Sequence, residues 1–168
     1  MVPQIRRIRA DEWREMRSLR LRALAEMPTA YGSTLAEEQA YSDDVWQERT
    51  LGASSGYDRA TFIAECEGMW LATVTGLAKQ FGLANGVPLL VAMFVAASAR
   101  RQGMGIGLVD TVSSWARECG ANQIALSVES GNGPAVAFYQ RCGFRFTGEE
   151  RPVAHTPTLI ERQMVKHL

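Results

Sequence analysis

The stretch Arg100-Arg101-Gln102-Gly103-Met104-Gly105-Ile106-Gly107 decides how the chain is read. A strand-like apolar run, Leu89 to Val95, precedes it, and a run with helical spacing, residues 108–119, follows it. That order puts a glycine-rich turn at a helix start. The first N–H groups of a helix lack an internal partner, and the helix dipole makes that end partly positive. Glycines let a bulky phosphate come close to the main chain. The turn therefore reads as an anion cradle, to which the rest of the chain brings a second reactant.

Three motifs compete for it. A P-loop needs a lysine after its last glycine, and none lies nearby. A dinucleotide fingerprint, G-x-G-x-x-G, finds Gly103 and Gly105 but has Leu108 in the third position. No carboxylate follows at 122–128, where its ribose ligand belongs. The third is R-x-x-G-x-G, from Arg100 to Gly105.

The turn's surroundings come next. On its C-terminal side, Leu108, Val112, Trp115 and Cys119 share a helix face, and Gly120 ends that helix. Residues 124–128 form a strand parallel to Leu89–Val95, because a strand–helix–strand crossover makes parallel neighbours. Gly133-Pro134 opens a helix that ends at Cys142, and strands near 145–148 and 158–165 close the chain. On the N-terminal side, residues 61–66 and 70–77 read as a hairpin turning at Glu67-Gly68. A connection at 78–88, broken by glycine and proline, leads to the central strand.

Further back, residues 4–9 alternate as an edge strand, and Asp11 caps a helix to about residue 25. Trp13, Met16, Leu19 and Ala23 make its apolar face, with Arg14, Arg17, Arg20 and Arg22 on its solvated side. Thr34 and Glu37 fit a capping box. Ser42-Asp43-Asp44 begins a third helix carrying Val45, Trp46 and Leu51, and residues 52–58 read as a small, polar loop. The predicted architecture is one domain with a mixed sheet flanked by helices.

Composition sets outer limits. With 168 residues the chain can bury a core without staples. Its formal net charge is zero, so nothing in the total favours nucleic acid or an anionic membrane. Arginine far outnumbers lysine, which occurs only at Lys79 and Lys166. Cys66, Cys119 and Cys142 are odd in number and widely spaced, suggesting neither a disulfide framework nor a zinc site. A reducing cytoplasm fits, and no run approaches the ~18 apolar residues of a membrane span.

The motifs resemble the GNAT family, the acetyl-CoA-dependent N-acetyltransferases. Its first signature is matched by Met93-Phe94-Val95, then Arg100-x-x-Gly103-x-Gly105. The second is matched by Leu126-x-Val128, Asn132-x-x-Ala135-x-x-x-Tyr139 and Gly143-Phe144, and the family's close by Met164, Lys166 and Leu168. The matched stretch covers residues 62–168. The N-terminal sixty match only in layout, although the helix Arg-Leu-Arg-Ala-Leu followed by Pro-x-Ala-Tyr-Gly looks like one subset of the family.

The resemblance implies an α/β fold with a mostly antiparallel central sheet, a splayed parallel strand pair and helices on both faces. It implies acetyl-CoA as co-substrate and no metal. The CoA pyrophosphate would sit on the backbone of Gln102, Gly103, Gly105 and Ile106, with Arg100 or Arg101 reaching a phosphate; either arginine could equally be solvated. Phe94 and Val95 would bond the pantetheine as a pseudo-strand. Asn132 would contact the cofactor arm or simply cap the next helix. Tyr139 would protonate the departing thiolate; the alternative is a core aromatic. For the base, the strand Leu89–Val95 holds no carboxylate. Glu65 and Glu129 are the candidates, either acting through water, although each reads more simply as an exposed surface glutamate. His155 and His167 carry no assigned role, and Cys142 reads as a small apolar helix residue rather than a nucleophile.

The expected function is acetyl transfer from acetyl-CoA to a primary amine by direct attack, since a thioester is already activated. A non-catalytic acyl-CoA-binding sensor is the alternative, motivated by the missing strand carboxylate. A nicotinamide enzyme is a third, opposed by the missing ribose carboxylate. The acceptor, a small molecule or a peptide amine, would meet residues 27–38, with Tyr31 as a wall. Homodimers are common in the family, but nothing here specifies one.

Overall fold

The structure, a computed structural model, describes residues 2–78 and 86–168. The elements run β1 (Gln4–Arg7), α1 (Trp13–Glu26), α2 (Leu35–Gln39), α3 (Asp43–Ser55), β2 (Arg59–Cys66) and β3 (Met69–Leu77). Then come β4 (Leu89–Val95), a short 3-10 turn (Ala97–Ala99), α4 (Met104–Glu118), β5 (Gln123–Glu129), α5 (Gly133–Arg141), β6 (Arg145–Val153) and β7 (Thr156–His167). Most of the expected connection at 78–88 lies outside the described residues.

The strands form one sheet in the order β1-β2-β3-β4-β5-β7-β6. Every pairing is antiparallel except β4 with β5. The β2–β3 hairpin turns on Glu67 and Gly68, both with positive φ (52° and 77°). That is the two-residue turn whose twist matches the flanking strands. The parallel pair touches in register only at Leu89 and Ala125, and the Ala125 N–H donates to the Pro88 carbonyl at 2.9 Å. Beyond that point the two strands separate.

Helices cover both faces. On one, Gly76 lies beneath α4 so closely that a Cβ there would sit 2.4 Å from the Trp115 ring. Phe62, Ala64, Ala72 and Val74 share this core with Leu108, Val109 and Val112. On the other face, Ile63 packs with Ile8, Ala53 of α3 and Met16 of α1. Trp46, Phe94 and Phe144 are fully buried, and each such side chain contributes about 1.5–3 kcal/mol.

Several boundaries differ from the sequence expectation. Helix α1 starts at Trp13 with Glu12, not Asp11, as its cap residue. The Glu12 carboxylate accepts from the Arg9 N–H (2.8 Å) and from Arg6 (2.7 and 2.9 Å). Helix α3 continues through 52–55, where a loop was expected, because Arg7 caps its C-terminus. Its guanidinium donates to the carbonyls of Ala53, Gly56 and Arg59 at 2.6–2.9 Å. Leu51 faces solvent. Strand β1 ends at Arg7, while β6 and β7 form a longer hairpin than expected. Thr34 and Glu37 do close a capping box on α2.

Candidate active site

Helix α4 begins at Met104, four residues earlier than its apolar face suggested, with Gly103 as cap residue at φ 82°. Arg101 also has positive φ, 60°. These left-handed residues fold 100–103 into a tight corner and aim the first turn of α4 outward. The first bond closed there is Gly107 N–H to Gly103 carbonyl, 3.0 Å. The N–H groups of Met104, Gly105 and Ile106 thus lie at an uncapped helix start. Gly105 faces the Phe138 ring, where a Cβ would come within 3.0 Å. Arg100, Arg101 and Gln102 are exposed. The Arg100 Nε donates to the Val95 carbonyl at 3.1 Å and the Gln102 amide to the Ser98 carbonyl at 2.9 Å.

The gap between β4 and β5 opens beside this turn. Ala92 has φ 54°, and the β3–β4 register slips between Thr73 and Thr75, which marks a bulge. Past the bulge, Phe94 pairs with Thr73 and the Ala96 N–H bonds the Leu71 carbonyl at 2.8 Å, both on β3. Because polar groups alternate along a strand, Met93 and Val95 turn theirs the other way, into the gap. The Val95 carbonyl meets Arg100. The Met93 carbonyl accepts the Tyr31 hydroxyl at 3.1 Å.

Across the gap, Asn132 caps α5 by accepting the Ala135 N–H at 3.2 Å. Tyr139 is 9% exposed and stacks edge-on with Phe144 and Phe138 at 5.7 and 5.1 Å. Burial, with a smaller contribution from Tyr31, pushes its phenol well above the ordinary range. Burial likewise pushes the Tyr31 phenol up to about 12 and raises the Cys142 thiol.

The two candidate bases are placed differently. Glu129 ends β5 at the mouth of the gap and accepts the Gly131 N–H at 2.7 Å. Glu65 lies on β2, three strands from β5, which is about 14 Å at ordinary strand spacing. Both its oxygens accept from Arg6 at 3.0 Å, and these bonds hold its carboxyl below the usual range.

The sequence reading missed the cluster behind Tyr31. Arg20 is not solvated: it pairs with the fully buried Glu38 at 2.8 Å and lies over the Tyr31 ring at 4.6 Å. Ser33 and Arg49 also bond Glu38. Burial opposes ionisation of Glu38, but its bonds from Arg20 and Ser33 prevail and hold its carboxyl below the usual range. The capping box held the signal, since it fixes α2 so that Glu38 turns inward while Glu37 faces out. His155 was missed too. Its Nε2 lies 2.7 Å from the Gly32 carbonyl, so it carries a proton there and ties the β6–β7 hairpin to the same loop. Among the described residues no three metal-ligating side chains converge.

Comparison with known proteins agrees with this layout. The sequence model of the Acetyltransferase (GNAT) family matches residues 7–144. A GNAT-family acetyltransferase from Streptococcus pneumoniae superimposes with a TM-score of 0.81 over 99% of both chains, at 20% identity. The Salmonella typhimurium protein yncA, solved with its cofactor acetyl-CoA, gives 0.80 over 100% of this chain and 95% of its own, at 16% identity. AAC(6')-Iy, solved with the bisubstrate analogue CoA-S-monomethyl-acetylneamine, gives 0.71 over 89% and 95%, at 20% identity. No curated protein matches the sequence.

Proposed function

Because the chain belongs to the acetyltransferase (GNAT) family, we propose that it transfers an acetyl group from acetyl-CoA to a primary amine by direct attack. The observation that carries this is the parallel pair that parts after Leu89 and Ala125 beside an uncapped helix start. Unpaired backbone groups in an interior need a partner, and a pantetheine arm supplies one along its length. The open N–H groups of Met104, Gly105 and Ile106 fit a pyrophosphate, and Gly103 leaves open space above them. Arg100 and Arg101 add positive charge, and Val95 offers its gap-facing N–H, its carbonyl being bonded to Arg100.

Bound acetyl-CoA would supply an activated thioester. The chain's residues do the rest. Backbone dipoles on β4 orient the acyl carbonyl and stabilise the charge that develops on it. The Tyr139 hydroxyl, a phenol that is protonated at neutral pH, serves as the proton donor to the leaving sulfur. Glu129 stands at the mouth as a base acting through water. Glu65 is the weaker base candidate, since its bonds from Arg6 hold its carboxyl below the usual range and so weaken its pull on a proton. Calorimetry with acetyl-CoA tests the cofactor site, and no heat at millimolar cofactor would end the proposal. Thiol release with a panel of amines tests turnover. Binding without release by any amine would favour the acyl-CoA sensor, which the absence of a carboxylate on β4 supports.

A further inference from the structure

Resting on that reading, we propose that Tyr31 is the positioning residue for the acceptor amine: its phenol oxygen accepts an N–H from the amine and aims the nitrogen lone pair into the gap. The argument starts from its hydrogen bond. The Tyr31 proton is committed to the Met93 carbonyl at 3.1 Å. A hydroxyl that donates its one proton still has two lone pairs, so at the open edge of β4 this oxygen is an acceptor. An amine ready to attack has one lone pair and two N–H bonds, and the N–H bonds need acceptors when the site is dry. No side chain of β4 is a carboxylate, and Glu65 is held by Arg6.

The charges facing Tyr31 favour a neutral amine over an ammonium. Arg20 and Glu26 face it from α1, Arg100 from the glycine turn and the uncharged Tyr139 from α5. Arg20 itself is fixed by Glu38 against the tyrosine ring. Tyr31 is not the base, because its proton already has a partner. In the step, the amine lone pair forms the C–N bond and the C–S pair leaves with sulfur. Sulfur takes the proton of Tyr139, and Tyr139 recovers one from the new N–H₂⁺ group through water. The products are an amide and a free thiol.

Tyr31→Phe keeps the ring under Arg20 and removes only the oxygen. Two measurements test it, both with a panel amine that gives thiol release with the native protein. In calorimetry of that amine into protein saturated with unreactive CoA, the variant binds about tenfold more weakly, the size of one lost hydrogen bond. In kinetics, acceptor kcat/KM falls by at least that factor while the acetyl-CoA KM stays within about twofold. The pH profile of acceptor kcat/KM keeps its shape, rising to the amine's own pKa, and only its height drops. Equal amine binding by variant and native protein, or loss of the alkaline limb in the variant, overturns the positioning role. If the native protein binds acetyl-CoA and releases thiol with no amine, the parent reading fails and this inference falls with it.

Discussion

Residues 4–55 and residues 89–144 hold their shape by different means. In the first region charged side chains span distant positions: Arg6 joins Glu12 to Glu65, Arg7 caps α3, and Arg20 meets Glu38 across two helices. In the second, turns and caps made by near neighbours in sequence do the holding and the backbone is left partly open: a left-handed glycine starts α4, the Asn132 side chain caps α5, and β4 parts from β5 after one register pair. The lesson concerns recognition. A site made of main-chain groups can serve a cofactor that never changes, while a wall of side chains can be rebuilt for each acceptor without disturbing it.

The largest effect that would sharpen this contrast is at Glu38. Glu38→Ala leaves Arg20 largely buried without its partner, and removing one member of a buried pair costs about 3–5 kcal/mol. Urea unfolding should show that loss, with acetyl-CoA affinity of the folded fraction unchanged. Equal weakening of the cofactor would mean the two regions are not separable. Next comes Tyr139→Phe, which keeps the packing on Phe144 and lowers kcat about 100-fold, as loss of a proton donor does. Unchanged turnover would make Tyr139 a core aromatic. Gly103→Ala, at φ 82°, imposes about 1–2 kcal/mol of strain on the turn. Calorimetry should then show roughly tenfold weaker acetyl-CoA. An unaltered affinity would move the cofactor off the turn.

The contrast also explains what could be read in advance. Glycine spacing is local, so Gly103, Gly105, Asn132 and the strand–turn–helix order were legible, as was the parallel crossover that follows from them. The capping box at Thr34 was legible for the same reason. Arg20 looked solvated because its partner lies 18 positions away on another helix, and nothing local names it. Helix α3 looked too short because its C-terminus is capped by Arg7, 46 positions away from Ala53 in sequence. Glu65 read as a candidate base or a surface glutamate, and its tie to Arg6 was hidden because the two lie 59 positions apart and meet only when β1 pairs with β2.

The smallest effect lies in acid. The folded carboxyl of Glu38 sits below its unfolded value of about 4.3, so its contribution to stability is complete above that pH. The contribution disappears as pH falls through the lower folded value. Glu12 and Glu65 act in the same direction. Thermal melting should therefore decline below about pH 4, and more gently in the Glu38→Gln variant. A native slope in that variant would assign the acid sensitivity to another group.

The single register pair between Leu89 and Ala125 has a mechanical meaning as well. Seven strands that look like one sheet are two leaves, β1-β2-β3-β4 and β5-β7-β6, stitched at one end. A molecule seated in the seam acts as the missing rung, so occupancy and rigidity are one event. A ligand at 100 times its dissociation constant would add about 2.7 kcal/mol to the folded state. The amides that slow in hydrogen exchange would be those along the seam, on both leaves at once.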